Sequence, residues 1–289
     1  MQNGAPPETR LDRFLEYFVM LGFAFKHGNS PQSMASLYYL AKLKRGLVYR
    51  NLSQYVPEKI QRISFRAGTG KPWDIYIRDN GQDAPMLVEF FRNDRLARLR
   101  QLEPKPKVIY DLGANIGIAS LSLAAQCPEA RIYGFEPIPA NYEICSQNYL
   151  NLTNAQALNC AVGPSSGRMN FEVTDDPRGG HLSGNSSPKS ANSIKRIEVV
   201  VWSVADLVEV KGLAPPDFLK VDVEGAEADV LNGLGIYAKG IKQMHIETHS
   251  IALRDKCVDW LVHNGFQIEE EFRYTADLGA LWAKRLEAS

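Results

Sequence analysis

Asp111-Leu112-Gly113-Ala114-Asn115-Ile116-Gly117, directly after the apolar run Val108 to Tyr110, reads as a strand ending in a carboxylate, a turn and the start of a helix. Glycines at 113 and 117 let the backbone approach a ligand, and the helix that follows points its first amides at the same place. Working outward, the apolar pattern alternates: strand Val108 to Leu112, helix Ile116 to Cys127, strand Arg131 to Phe135, helix Pro139 to Leu150, strand Ala155 to Val162. Consecutive βαβ units of this kind form a parallel sheet with right-handed crossovers.

Beyond Gly163 the order changes. Arg168 to Thr174 and Arg196 to Val201 read as strands around a Gly/Ser/Asn/Pro-rich run, Asp175 to Ser193, read as a disordered insert or a working lid. Alternation then resumes: helix Val204 to Val208, strand Phe218 to Val223, helix Ala226 to Leu231, strand Lys242 to Glu247, helix Leu253 to Asn264, and an antiparallel pair, Phe266 to Phe272 with Leu278 to Lys284. Upstream, Ile60 to Arg66 and Trp73 to Arg78 alternate as a β-hairpin. Thr9 to about Leu47 reads as a helical hairpin: Leu11, Phe14, Leu15, Phe18 and Leu21, then Met34, Leu37, Leu40 and Leu43, recur at mainly helical spacing. Its aromatic density suits a cap on the main domain or a contact between two copies, with membrane contact ranked below both. The expected division is 1–59 for this segment and 60–289 for the main domain, of which 60–103 is a leading hairpin and helix and 104–289 the core.

The bulk properties exclude several classes. The 289 residues carry 33 Lys+Arg and 33 Asp+Glu, so no long-range positive field recruits a nucleic acid. Four scattered cysteines, without a CxxC pair, argue against structural zinc and disulfides and read as buried small hydrophobes in a reducing compartment. Met1 to Arg10 is polar and shows no secretory core, and Phe14 to Phe25 is shorter than the roughly 20 residues of a spanning helix. These features lead to the expectation of a cytoplasmic protein with a small-molecule partner and no integral membrane segment.

The ligand class follows from the turn. A dinucleotide fingerprint starting at Gly113 would need glycines where Asn115 and Ile118 stand, and a P-loop would need a Gly-Lys pair where Gly117-Ile118 stands. The acid-x-Gly-x-Asn-x-Gly turn suits a ligand with a charged amino-acid end and a nucleoside end, as S-adenosylmethionine has. Glu136, following the next strand, lies where a carboxylate accepts ribose hydroxyls, although such an acid is also read as a solvated strand end. Asp111 has two readings as well, holding the turn and orienting the methionyl ammonium.

Five stretches in order, DLGANIG at Asp111 to Gly117, FEP at Phe135 to Pro137, AVG at Ala161 to Gly163, KVDVEGAE at Lys220 to Glu227 and IETH at Ile246 to His249, resemble the FkbM family of S-adenosylmethionine-dependent methyltransferases over about Ile109 to Phe266. The resemblance implies a class I methyltransferase fold, an α/β domain with a mostly parallel seven-stranded sheet and an antiparallel terminal hairpin. It also implies a hydroxyl acceptor on a sugar, polyketide or other secondary metabolite. The cofactor-binding set is then Asp111, Gly113, Ala114, Asn115, Gly117, Glu136, Pro137 and Ala161.

An alcohol that accepts a methyl group must lose a proton, and strand alternation brings Asp222 and Glu224 to one side of one strand end, near His249 at the end of the next. Asp222 or His249 is read as the proton acceptor, histidine being matched to neutral pH, and Glu224 as the group that orients the acceptor. Glu224 is equally read as a helix-start acid, and for Glu227 that reading is preferred. A divalent ion at the same acids is not demanded by their spacing, and none is assigned; His181 reads as a solvated loop residue. The alternatives kept open are N- or carboxyl-methylation and a non-catalytic nucleoside-binding scaffold.

Overall fold

The computed structural model describes residues 10–37, 59–67, 70–80, 82–174, 180–182 and 194–286. The chain forms two compact units, Met1–Arg95 and Leu96–Ser289. In the first, helix α1 (Arg10–His27) leads to a short helical stretch at 31–37, and strands β1 (Ile60–Phe65) and β2 (Trp73–Arg78) pair antiparallel from Ile60↔Arg78 to Phe65↔Trp73. The expected second apolar series is described only as far as Leu37; Leu40 and Leu43 lie outside the described residues. Of the N-terminal aromatics, Phe23 is buried, whereas Phe18 and Phe25 are exposed. Helix α2 (Asp83–Phe91) follows, and its Asp83 carboxylate is buried against the Arg78 guanidinium at 2.9 Å. The hairpin thus groups with α1 in a unit that runs to Arg95, past the expected boundary at 59.

The second unit holds the predicted alternation: β3 (Val108–Leu112), α3 (Ile118–Gln126), β4 (Arg131–Phe135), α4 (Pro139–Tyr149) and β5 (Ala155–Leu158). After them come β6 (Ala161–Val162), β7 (Gly167–Thr174), β8 (Gly180–Leu182), β9 (Ile194–Trp202), α5 (Val204–Glu209), β10 (Phe218–Val221), α6 (Glu227–Asn232), β11 (Gln243–Thr248), α7 (Ile251–His263), β12 (Phe266–Arg273) and β13 (Gly279–Arg285). Seven strands make one sheet in the order β12-β13-β11-β10-β3-β4-β5. The five from β11 to β5 run parallel, and β13 is antiparallel to both its neighbours. This is the class I methyltransferase arrangement. Parallel strands are covered on both faces, which is why β3, β4 and β10 read as nearly unbroken apolar runs and are buried along almost their whole length.

The chain leaves β3 toward β4 on one side and later places β10 on the other, so strand order reverses between β3 and β10. At such a switch point the two outgoing loops diverge and leave a crevice at the carboxyl ends of the strands. The two motifs, at Gly113 and Asp222, are the loops that leave these two strands.

Three expectations are corrected. The strand read as Ala155 to Val162 is two: β5 belongs to the large sheet, and β6 pairs with β9 in a separate sheet of order β6-β9-β7-β8. Asn159 sits in the break between them, where its side chain donates to the carbonyls of Glu136 at 2.8 Å and Pro137 at 3.2 Å. The helix expected from Ile116 begins at Ile118, with Gly117 as its left-handed cap. Within the expected insert, residues 180–182 form β8 against β7, which places His181 in a strand opposite Glu172; the rest of 175–193 lies outside the described residues.

All four cysteines are buried as free thiols, in accord with their reading as small hydrophobes. Among the described residues no helix is long and apolar enough to cross a membrane.

Candidate active site

The turn after β3 is built by side chains that the motif itself supplies. Gly113 has φ +78°, and a Cβ there would lie 1.8 Å from the carbonyl oxygen of Asp222, so only glycine lets the loops from β3 and β10 touch. The amides of Gly113 and Ala114 donate to the Phe135 carbonyl at 3.0 and 2.9 Å, which ties the turn to the end of β4. Asn115 takes a left-handed conformation, φ +51°, which asparagine tolerates. Its side chain accepts from the Ile116 amide at 2.8 Å, and its own amide donates to Glu136 at 2.9 Å. Gly117 caps α3 with no side-chain acceptor, so the helix has no side-chain cap at its start.

Glu136 accepts from Asn115, from the Ile138 amide at 2.9 Å and from the Asn141 side chain at 3.4 Å. It is therefore a held carboxylate and not the solvated strand-end acid of the plainer reading. Burial pushes its pKa up to about 7 against the opposing pull of these hydrogen bonds and of the Lys220 charge. A carboxylate offers about four lone-pair directions. Three are used here, so Glu136 keeps capacity for a further donor. Pro137 is half-buried beside it.

Asp111 is placed differently. It is fully buried, accepts from the Ser120 hydroxyl at 2.5 Å and lies 3.1 Å from the Lys220 ammonium. These contacts serve the turn-holding role of the two read for it. Ala161 is buried too, in an apolar cluster with Phe171, Val199, Val201 and Ala226 against which Ile138 and Val223 pack. That cluster supports both the loop after Glu136 and the loop after Asp222.

At the mouth of β10 and β11, Asp222, Glu224 and His249 converge. His249 Nε2 lies 3.3 Å from Glu224 Oε2 and 3.8 Å from Asp222 Oδ1. Its Nδ1 lies 2.6 Å from Glu227 Oε1. Burial, the largest single influence, pulls the imidazole pKa down, but the Glu227 hydrogen bond and the charges of Glu224, Glu227 and Asp222 push it up to about 10. These three carboxylates favour the protonated imidazole, whereas proton acceptance needs the neutral ring. The donor atoms of Asp222, Glu224 and His249 all lie within 4.8 Å of one another, so these three side chains would be the ones to hold a divalent ion.

Two participants escaped the sequence reading. Lys220, in the otherwise apolar β10, is buried with its ammonium 3.1 Å from Asp111, 3.2 Å from Asp222 and 3.1 Å from the Gly113 carbonyl, which it bonds. Burial opposes its charge, yet Asp111 and Asp222 hold its pKa above the ordinary lysine value. A lysine inside a buried strand was the available signal. Glu227, read by preference as a helix-start acid, does open α6 and also lies 2.6 Å from His249.

A shallow cleft lined in part by Thr248, Ser250, Arg254, Glu271 and Arg273 opens at the end of β11, and His249 is not part of its lining.

Residues 111–274, more than half of the chain, match the methyltransferase FkbM domain family. Methyltransferase sdnD of Sordaria araneosa is 32% identical over 164 residues, covering 45% of this chain and 61% of that protein. The 2-O-methyltransferase NoeI of Sinorhizobium fredii is 29% identical, covering 46% of this chain and 59% of that protein. The 31-O-demethyl-FK506 methyltransferase FkbM of Streptomyces tacrolimicus is 26% identical, covering 60% and 77%. The chain thus spans about six tenths of the length of the first two.

Proposed function

The chain belongs to the FkbM methyltransferase family, and from that premise we propose that it transfers the methyl group of S-adenosylmethionine to a hydroxyl of a small molecule. The observation that carries this reading is the pairing of two different sites at one switch point. On the β3 and β4 side stand a glycine turn and a held carboxylate, Glu136; on the β10 and β11 side stand Asp222, Glu224 and His249. The relatives named for 2-O- and 31-O-methylation support oxygen as the acceptor atom.

The bound cofactor would supply an electrophilic methyl carbon on a sulfonium. Glu136 would accept one ribose hydroxyl with its remaining lone pair, while Gly113, Ala114, Asn115, Gly117 and Pro137 would form the wall of that pocket. Ala161 would support the wall from beneath, and Asp111 would hold the turn in place through Ser120 and Lys220. On the acceptor side Asp222 would take the proton. An alcohol oxygen becomes strongly acidic as its bond to carbon forms, so a carboxylate is basic enough at that stage, and the carboxylates around His249 favour its protonated form, which makes Asp222 the better base. Glu224 would orient the hydroxyl, and holding it in line with the transferring bond supplies the main rate effect, about 7 to 11 kcal/mol at best.

The test is a screen of hydroxylated sugars, uronic acids and polyketide alcohols with methyl-labelled cofactor, read by release of S-adenosylhomocysteine and by NMR of the product. An alkali-stable methyl ether is expected, abolished by Asp222→Asn while cofactor binding by calorimetry is retained. An alkali-labile ester or an N-methyl product would overturn oxygen transfer, and binding without turnover on every acceptor would favour the scaffold.

A further inference from the structure

Glu227 is completely buried, and among the described residues its carboxylate accepts from the Gly225 amide at 2.9 Å and lies 2.6 Å from His249 Nδ1. An acid that merely complements a helix dipole contributes about 0.3 to 1 kcal/mol and does so from the surface. Burying a carboxylate costs several kcal/mol unless a charged partner offsets it. The helix that Glu227 opens is six residues long, so its dipole is a poor candidate for that offset. The side chain in contact is His249, with Nδ1 2.6 Å from the Glu227 carboxylate.

His249 in turn needs a tether. It lies between the end of β11 at Thr248 and Ser250, whose hydroxyl caps α7 by accepting from Leu253 at 3.1 Å. No strand or helix fixes the plane of its ring. With Nδ1 bound to Glu227, the opposite nitrogen is aimed at Glu224 and Asp222.

We propose that Glu227 is a positioning residue for the acceptor side, a buried carboxylate that keeps the proton on His249 Nδ1 and thereby holds Nε2 toward Asp222 and Glu224. No bond is made or broken by Glu227; it accepts a hydrogen bond and fixes which nitrogen faces the reacting groups. The assignment rests on the proposed function only for the word acceptor; the pairing itself is a statement about this chain.

The experiment that tests it needs no acceptor. With ¹⁵N-labelled histidine, the His249 ring is assigned by loss of its signals in His249→Gln, and ring nitrogen shifts and the hydrogen-bonded ring proton are recorded in the wild type and in Glu227→Gln. Expected is a wild-type Nδ1 that carries a low-field, exchange-protected proton, lost or moved in Glu227→Gln, while S-adenosylhomocysteine affinity changes less than about threefold, about 0.7 kcal/mol. Once an acceptor is in hand, Glu227→Gln should lower kcat about 10²-fold with little change in the cofactor KM. A wild-type Nδ1 without its proton would overturn the proposal, and that measurement stands even if the variant fails to fold. Ring signals unchanged in a folded Glu227→Gln would overturn it too. Failure of the acceptor screen with the ring signals as expected would count against oxygen methylation and leave the pairing intact.

Discussion

Single residues carry the pH behaviour of this site. Glu136, with its pKa raised to about 7 by burial, is partly protonated at neutral pH. A raised carboxyl pKa means that its protonated form favours the fold, a contribution present below about 4.5 and lost as pH rises through 7. Ribose recognition needs the opposite, ionised form. Cofactor analogue affinity should therefore tighten as pH rises from about 6 to 8, and Glu136→Gln should weaken binding and flatten that dependence, as titration calorimetry at several pH values would show. A flat wild-type profile would remove Glu136 from ribose binding. Residue identities alone pointed to Asp222, Glu224 and His249, because acids and a histidine at adjacent strand ends are rarely placed there by packing. They did not reveal that three carboxylates converge on one imidazole, since the charge state of His249 depends on distances to residues on other elements.

Between elements, Lys220 is the join. Its ammonium bridges Asp111 on β3, Asp222 after β10 and the Gly113 carbonyl in the turn. Lys220→Met should destabilise the protein by about 3 to 5 kcal/mol, because it leaves Asp111 charged and buried without a countercharge. The double variant Lys220→Met/Asp111→Asn should recover much of that loss, since it removes both charges together. Chemical denaturation of the wild type, both single variants and the double variant measures this, and full additivity of the two substitutions would show that the pair is not coupled. Strand and helix positions were legible wherever apolar periodicity ran unbroken. The division of Ala155 to Val162 was not, because β5 and β6 have one continuous apolar pattern and differ only in the sheet they join; the turn at Asn159 is held by hydrogen bonds to the loop after Glu136. β8 escaped for a related reason, three residues being too few to show a period.

For the molecule as a whole, the relevant scale is linkage between binding and stability. S-adenosylhomocysteine at about 100 times its Kd should stabilise the folded chain by about 2.7 kcal/mol, seen as a higher midpoint in thermal denaturation. Excess EDTA should change neither that shift nor the methyl-transfer rate, because the His249 ring, bound to Glu227 at Nδ1 and 3.3 Å from Glu224 at Nε2, already fills the space among these carboxylates. A loss restored by magnesium or manganese would instead assign those donors to a metal. The alternation of strand and helix, the glycine turn after β3 and the family all follow from the order of residues along the chain, since hydrophobic period and backbone freedom are local properties. The reversal between β3 and β10, the proton on His249, and the functions of Lys220 and Glu227 exist only in the fold. They depend on groups far apart in sequence, brought within about 3 Å in an interior where an unpaired charge is costly.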